Sequence, residues 1–386
     1  MRLLYLVLLS GLAAPAFGQV EFTLLGRLPG GANSANVNDI SADGRVVAGS
    51  SGSSLAFWGE STVWTQEEGL QGLGLIGGMA SNYASRVSPD GRWVVGHAAQ
   101  SGLTDAYLWS EATGAHMLGD LGGDRLQSHA FGVSRHGRVV VGQASSPSGP
   151  QAFRWTPEGG MVGLGYLGED DIFSSARAVS ADGTRIAGVG NSGVFLYTEQ
   201  GGMVGLPEIP GGFESSDTFA ISDNGRWIAG EGSAEYSDGT RAREAVLWDE
   251  HGELVRLGQL DDNNISRYSV AHDVTNDGRV AVGIASGDET LYEGWGQAMI
   301  WTPEWGMRNL EEVLLHEYGV NIQEMGWRLD SALGITPDGQ YIVGNAFTDL
   351  GGSSHQEGYL LRLPIPAPTT LAPLAAFGLL SSRRRR

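Results

Sequence analysis

Along most of the chain, apolar residues fall in short runs that alternate with polar ones and are bounded by Gly, Asp, Asn and Pro. A period of two between such boundaries predicts short strands and very little helix. The stretch from His129 to Leu167 shows the unit most clearly. Ala130-Phe131-Gly132-Val133-Ser134 is followed by a turn at His136-Gly137 and by Arg138-Val139-Val140-Val141-Gly142. After a variable loop come Ala152-Phe153-Arg154-Trp155-Thr156, a second turn at 157–160, and Met161 to Leu167. These are four strands separated by turn chemistry.

The first turn recurs at Asp43-Gly44, Asp90-Gly91, His136-Gly137, Asp182-Gly183, Asn224-Gly225, Asp277-Gly278 and Asp338-Gly339. Glycine there supplies the positive φ that a tight hairpin needs. Successive turn glycines lie 47, 46, 46, 42, 53 and 61 residues apart, the period of a propeller blade. Each turn is preceded by Ile or Val and then Ser or Thr, and is followed by a β-branched run closed by Gly. The third strand carries Trp64, Trp109, Trp155, Tyr197, Trp248 and Trp301 in equivalent places, with Leu361 in the last unit. One large side chain per unit, set between turns, predicts filling of the wedge between neighbouring blades rather than a carbohydrate-stacking ladder.

The last unit has three strands and then runs into prolines, whereas Phe22 to Leu28, with its Leu25-Gly26-Arg27-Leu28, repeats the fourth-strand pattern ahead of the first full unit. The expected fold is therefore all-β: a seven-bladed β-propeller of four-stranded blades over residues 20–363, its ring closed by an N-terminal strand that completes the last blade. Closure of this kind leaves few open sheet edges. One interruption is expected, a short helix over 309–319, where Asn309 precedes helically spaced apolar residues, acids occupy the first turn and Gly319 follows.

The termini read as addresses. Arg2, the apolar run Leu3 to Leu12 and the small residues around Ala16 and Gly18 match a secretory signal over residues 1–18. Residues 364–386 hold a proline-rich linker, a short apolar stretch interrupted by Pro373, and Arg383, Arg384, Arg385 and Arg386. This tripartite tail resembles the PEP-CTERM sorting signals processed by exosortase-type machinery, with Pro366-Ala367-Pro368 in place of the usual Val-Pro-Glu-Pro core. The resemblance implies export and transient contact with the membrane through the C-terminal segment.

The repeats themselves resemble the HAF-family extracellular repeats of bacteria, over nearly the whole length between the two terminal segments. The His-Ala-Phe positions of that family hold Asp105-Ala106-Tyr107, Gln151-Ala152-Phe153, Glu244-Ala245-Val246 and Gln297-Ala298-Met299. The pattern is kept without its His, so no role passes to that residue. The family implies export and a repeat fold, and names no reaction.

Composition narrows the chemistry. Forty-four acidic residues face 24 basic ones, all of them Arg, for a net charge of −20. A surface of that sign repels phosphate backbones, which excludes a nucleic-acid partner. With no Cys there is neither a disulfide framework nor a thiolate metal site. The eight His are spread singly through the units. No nucleophile-elbow or phosphate-loop motif occurs. Glu169, Asp170 and Asp171, and Asp261 and Asp262, lie between a fourth strand and the next first strand, and are calcium candidates without a complete calcium loop. No other cofactor or metal is expected.

Propeller topology places the loops after the second and fourth strands on one face and both kinds of hairpin turn on the other. The longer loops of that first face carry Tyr236, Asp238, Asp288, Glu289, Tyr292 and Trp295, which mark it as the contact surface. The expected function is an exported, non-enzymatic binding or structural module at the cell surface or in the extracellular matrix, with a protein or polysaccharide partner. The alternative is a carbohydrate-active enzyme, a glycosidase or lyase, using paired carboxylates near the channel.

Overall fold

The computed structural model describes residues 20–212, 216–236, 239–260, 268–286, 296–348 and 354–364. Its 28 strands form seven four-stranded antiparallel units. Blade 1 begins with Gly30–Ile40, and the innermost strands of blades 2 to 6 are Ser81–Val87, Ser128–Val133, Ser174–Val179, Asp217–Ile221 and Ser269–Val274. Blade 7 consists of Arg328–Ile335, Tyr341–Thr348 and His355–Arg362, completed by the N-terminal strand Glu21–Leu24. The innermost strands contact one another all the way round, blade 7 against blade 1 included. The fold is a seven-bladed β-propeller closed by the strand the sequence assigned to that task.

Closure is specific in register. Phe22 lies opposite Leu361 and Leu24 opposite Tyr359, the Phe22 ring packs 5.7 Å from that of Tyr359, and the Leu25 amide donates to the Gly358 carbonyl at 2.9 Å. The strand is shorter than Phe22 to Leu28, because Gly26 takes a φ of 81° and turns the chain toward blade 1. A single parallel pairing, Ser34 with Gln356, then links the two blades.

The repeated Ser/Thr-x-Asp-Gly turn is a hydrogen-bonded box. In blade 1, Ser41 Oγ donates to Asp43 Oδ1 at 2.7 Å, Asp43 Oδ1 accepts the Arg45 amide, and Ser41 Oγ accepts the Val46 amide. Blades 2, 4, 6 and 7 repeat it through Asp90, Asp182, Asp277 and Asp338, and blade 5 through Asn224. In blade 3 His136 stands in the Asp position, and its Nδ1 lies 3.0 Å from Asp90 Oδ2 of blade 2. Side-chain bonds to local amides stabilise such turns, which accounts for both the Asp and the preceding hydroxyl.

The glycine that closes each second strand has a different cause. Every innermost strand carries a β-bulge at the same place, at residues 38, 85, 131, 177, 219, 272 and 333. Beside it the partner strand comes so close that a Cβ on Gly96 or Gly142 would meet a carbonyl oxygen at 1.9 Å. Only glycine fits there. The bulges also turn one extra side chain per blade toward the axis.

Between each pair of blades lies one apolar seam, seven in all. The seven repeated third-strand residues are distributed one to a seam, so they are core, as their placement between turns implied. Trp248 is fully buried and donates its indole N–H to the Pro207 carbonyl at 2.8 Å. The helix Leu310–Tyr318 is capped by Asn309, whose side chain accepts the Glu311 and Glu312 amides, and ends at Gly319 with φ 70°. It buries Leu310, Val313 and Leu314 in the seam between blades 6 and 7.

Candidate functional site

Three regions bear on function: the axial channel, the loop face, and the channel rim between them. Deep in the channel the bulged strands bring charge together from distant parts of the chain. Arg86 of blade 2 pairs with Asp39 of blade 1 at 3.1 Å and donates across the axis to the Phe219 carbonyl of blade 5 at 2.7 Å. Asp39 also accepts the Val87 amide, and Asp273 of blade 6 accepts the Ile335 amide of blade 7, both across blade boundaries. Burial pushes the Asp273 carboxyl up to about 7 against the pull of Arg86, and lifts Asp39 in the same way. Asp223, facing Arg135 at 3.5 Å, is pushed up by burial to about 6. Residues from all seven blades line a cavity of about 70 Å³ here, at the hairpin-turn end of the axis. That volume is room for a few waters.

Toward the loop face two acids stand side by side. Asp217 and Glu231 are directly opposite in blade 5. Asp217 pairs with Arg177 at 3.1 Å, and Glu231 pairs with Arg243. Burial, opposed by Arg243 and reinforced by Asp217, raises Glu231 to about 7. Two neighbouring carboxyls are what acid–base chemistry uses, but the Glu231 side chain is 1% exposed and paired with Arg243.

Asp238, Asp261, Asp262, Asp288, Glu289, Tyr292 and Trp295 lie outside the described residues, as do residues 1–18, Pro366, Ala367, Pro368 and Arg383 to Arg386. Glu169 and Asp170 are exposed. Asp171 accepts Ser192 Oγ at 2.7 Å and the Gly168 and Ser192 amides, so its carboxylate braces the loop. Among the described residues, no three His, Asp or Glu side chains converge as a metal site. Tyr236 is half-buried, its hydroxyl donating to Glu244 at 2.8 Å and accepting from Gln259 at 3.1 Å, while Glu244 also holds Arg256. Tyr236 is thus tied into blade 5.

Two other features have no counterpart in the sequence reading. The loop from the second to the third strand of blade 1 exposes Leu55, Phe57 and Trp58, at 62%, 54% and 75%. The Phe57 and Trp58 rings meet edge to face at 4.9 Å. Nearby on the rim, histidines that are 32 residues apart in sequence come together: His97 of blade 2 lies 4.3 Å from His129 of blade 3, ring to ring. Tyr83 stacks on His97 at 5.3 Å and Phe131 meets His129 at 6.0 Å. Arg177 of blade 4 then caps the Phe131 ring at 5.2 Å. Two of the eight histidines thus meet once the blades close, because neighbours across a blade boundary are tens of residues apart in sequence rather than one helical turn.

No family model matches the chain, and no curated protein matches it in sequence. Solved structures do match in fold. An oligogalacturonate lyase in complex with manganese aligns with a TM-score of 0.52 and 14% identity over 85% of this chain and 88% of its own. The oligogalacturonate lyase of Vibrio parahaemolyticus gives 0.53 and 12% over 89% and 97%. The β-propeller domain of Myceliophteria thermophila Cps50 (Swd1) gives 0.53 and 12% over 89% and 100%. At such identities the likeness is one of fold, and a fold shared by lyases and by Swd1 names no reaction.

Proposed function

We propose that this protein is an exported, non-enzymatic β-propeller that binds an extracellular protein or polysaccharide at the bacterial cell surface or in its matrix. The observation that carries the reading is the blade 1 tip. Three large apolar side chains exposed within four residues, on the face that bears the longer loops, are costly to keep in water. Patches of that kind mark contact surfaces. Export rests on the secretory signal and on the sorting tail with its exosortase-type processing. Glu21 pairs with Arg362 at the hairpin-turn end of blade 7, so both terminal segments join the ring at the face opposite the tip. A tail held at the membrane leaves the tip facing outward.

The test is the variant Leu55→Ser/Phe57→Ser/Trp58→Ser in the full-length protein. Its thermal unfolding stays at the wild-type midpoint, since these side chains support no seam, while its retention on cells or matrix falls. Undiminished retention would remove the tip from the contact and the reading with it.

A further inference from the structure

The tip and the rim are continuous. Gly59, next to Trp58, abuts the Tyr83 ring so closely that a Cβ would lie 2.2 Å from it. From Tyr83 the rings run on through His97 and His129 to Phe131, from blade 1 to blade 3. Resting on the binding reading above, we infer that this series is a track for an uncharged polysaccharide, with a sugar ring stacked on Trp58 and hydroxyls meeting the polar ring edges of the rim.

Four observations select that ligand class. Trp58, 75% exposed, offers an open ring face of the kind that sugar C–H groups cover, whereas the rim rings pack on one another, Tyr83 stacked on His97, His97 tilted against His129 and His129 edge to face with Phe131. Among the described residues, His97 Nδ1 and His129 Nε2 have no hydrogen-bond partner. Buried polar atoms in that state call for water or ligand. Burial lowers both histidines, His97 to about 4. At neutral pH each is therefore an uncharged ring with one donor and one acceptor, suited to hydroxyls. The net charge of −20 opposes a polyanion. A protein anchor instead fills a compact, desolvated pocket, which an extended series of half-buried polar rings does not provide.

Affinity gel electrophoresis of the full-length protein in hydroxyethyl cellulose, dextran, galactomannan or alginate tests this. At least one of the three neutral polymers is expected to retard it, and alginate is not. Trp58→Ala weakens the retardation about tenfold, and His129→Phe, which keeps a ring in the stack and deletes its nitrogens, about threefold to tenfold. The inference is overturned if no neutral polymer binds, if alginate binds best, or if His129→Phe binds like the wild type. Should no polymer bind while tip-dependent retention on cells persists, the partner is a protein and only the polysaccharide is lost. If retention also ignores the tip, both readings fall.

Discussion

Replacing Arg86 by methionine would remove a cation that lies between Asp39 and Asp273 and crosses the axis to Phe219. The structure sets the cost. An ion pair at 3.1 Å with Asp39 and a hydrogen bond at 2.7 Å to a carbonyl are lost together, and two carboxylates remain around a narrow cavity. Breaking a buried pair from one side costs about 3–5 kcal/mol. Arg86 and Asp39 keep 19% and 11% of their side-chain surface, and the cavity admits water, so the lower end, about 3 kcal/mol, is expected at pH 8. The loss carries a pH signature. Burial already raises Asp273 to about 7 and lifts Asp39, with Arg86 holding both down. Without Arg86 both rise further. A carboxyl whose folded value exceeds its unfolded one binds its proton first in the folded state, so stability is regained as pH falls through the folded value. The deficit of Arg86→Met should therefore be large at pH 8 and shrink by pH 5.5. Adding Asp39→Asn should recover about 1–2 kcal/mol at pH 8, because a neutral amide replaces a stranded charge. Urea unfolding followed by tryptophan fluorescence reads all three. A deficit that does not change with pH, or no rescue by Asp39→Asn, would show that the clasp is not electrostatic.

Two further predictions concern the frame. Leu25 is 7% exposed in the seam between blades 7 and 1, so Leu25→Ala should cost about 2–3 kcal/mol in urea unfolding, and a loss below 0.5 would deny the closing strand its role. Asn309→Ala deletes the two capping bonds of Leu310–Tyr318 and should cost about 1 kcal/mol by the same measurement, whereas an unchanged midpoint would mean that packing alone sets the helix start.

The ring explains why function gathers where it does. The seven bulged positions hold six residue types while the turns beneath them hardly vary: Asn38, Ser85, Arg177, His272 and Leu333 occupy the same place as Phe131 and Phe219. Turns and seams are held by repeated side-chain geometry, so the axis and the loop face are where one blade differs from another.

Sequence alone determined the frame of this protein. Strand period, turn glycines and the third-strand aromatics are local or repeat once per blade, so the seven units, the N-terminal closing strand and the capped helix were all legible. The glycine closing each second strand was visible as a pattern, but its cause, a bulge that brings a carbonyl against its Cα, appears only in the paired sheet. The site was less legible. Asp39, Arg86, Phe219 and Asp273 are up to 234 residues apart in the chain and meet because ring closure brings blades 1, 2, 5 and 6 to one axis. His129 and Phe131 read as ordinary strand residues of the most regular unit, and His97 as an isolated histidine. Only the packing of blade 2 against blade 3 sets their rings together. Hydrophobic periodicity records which side of a strand is buried, but not which side chain of the neighbouring blade it faces, and that second fact makes the rim.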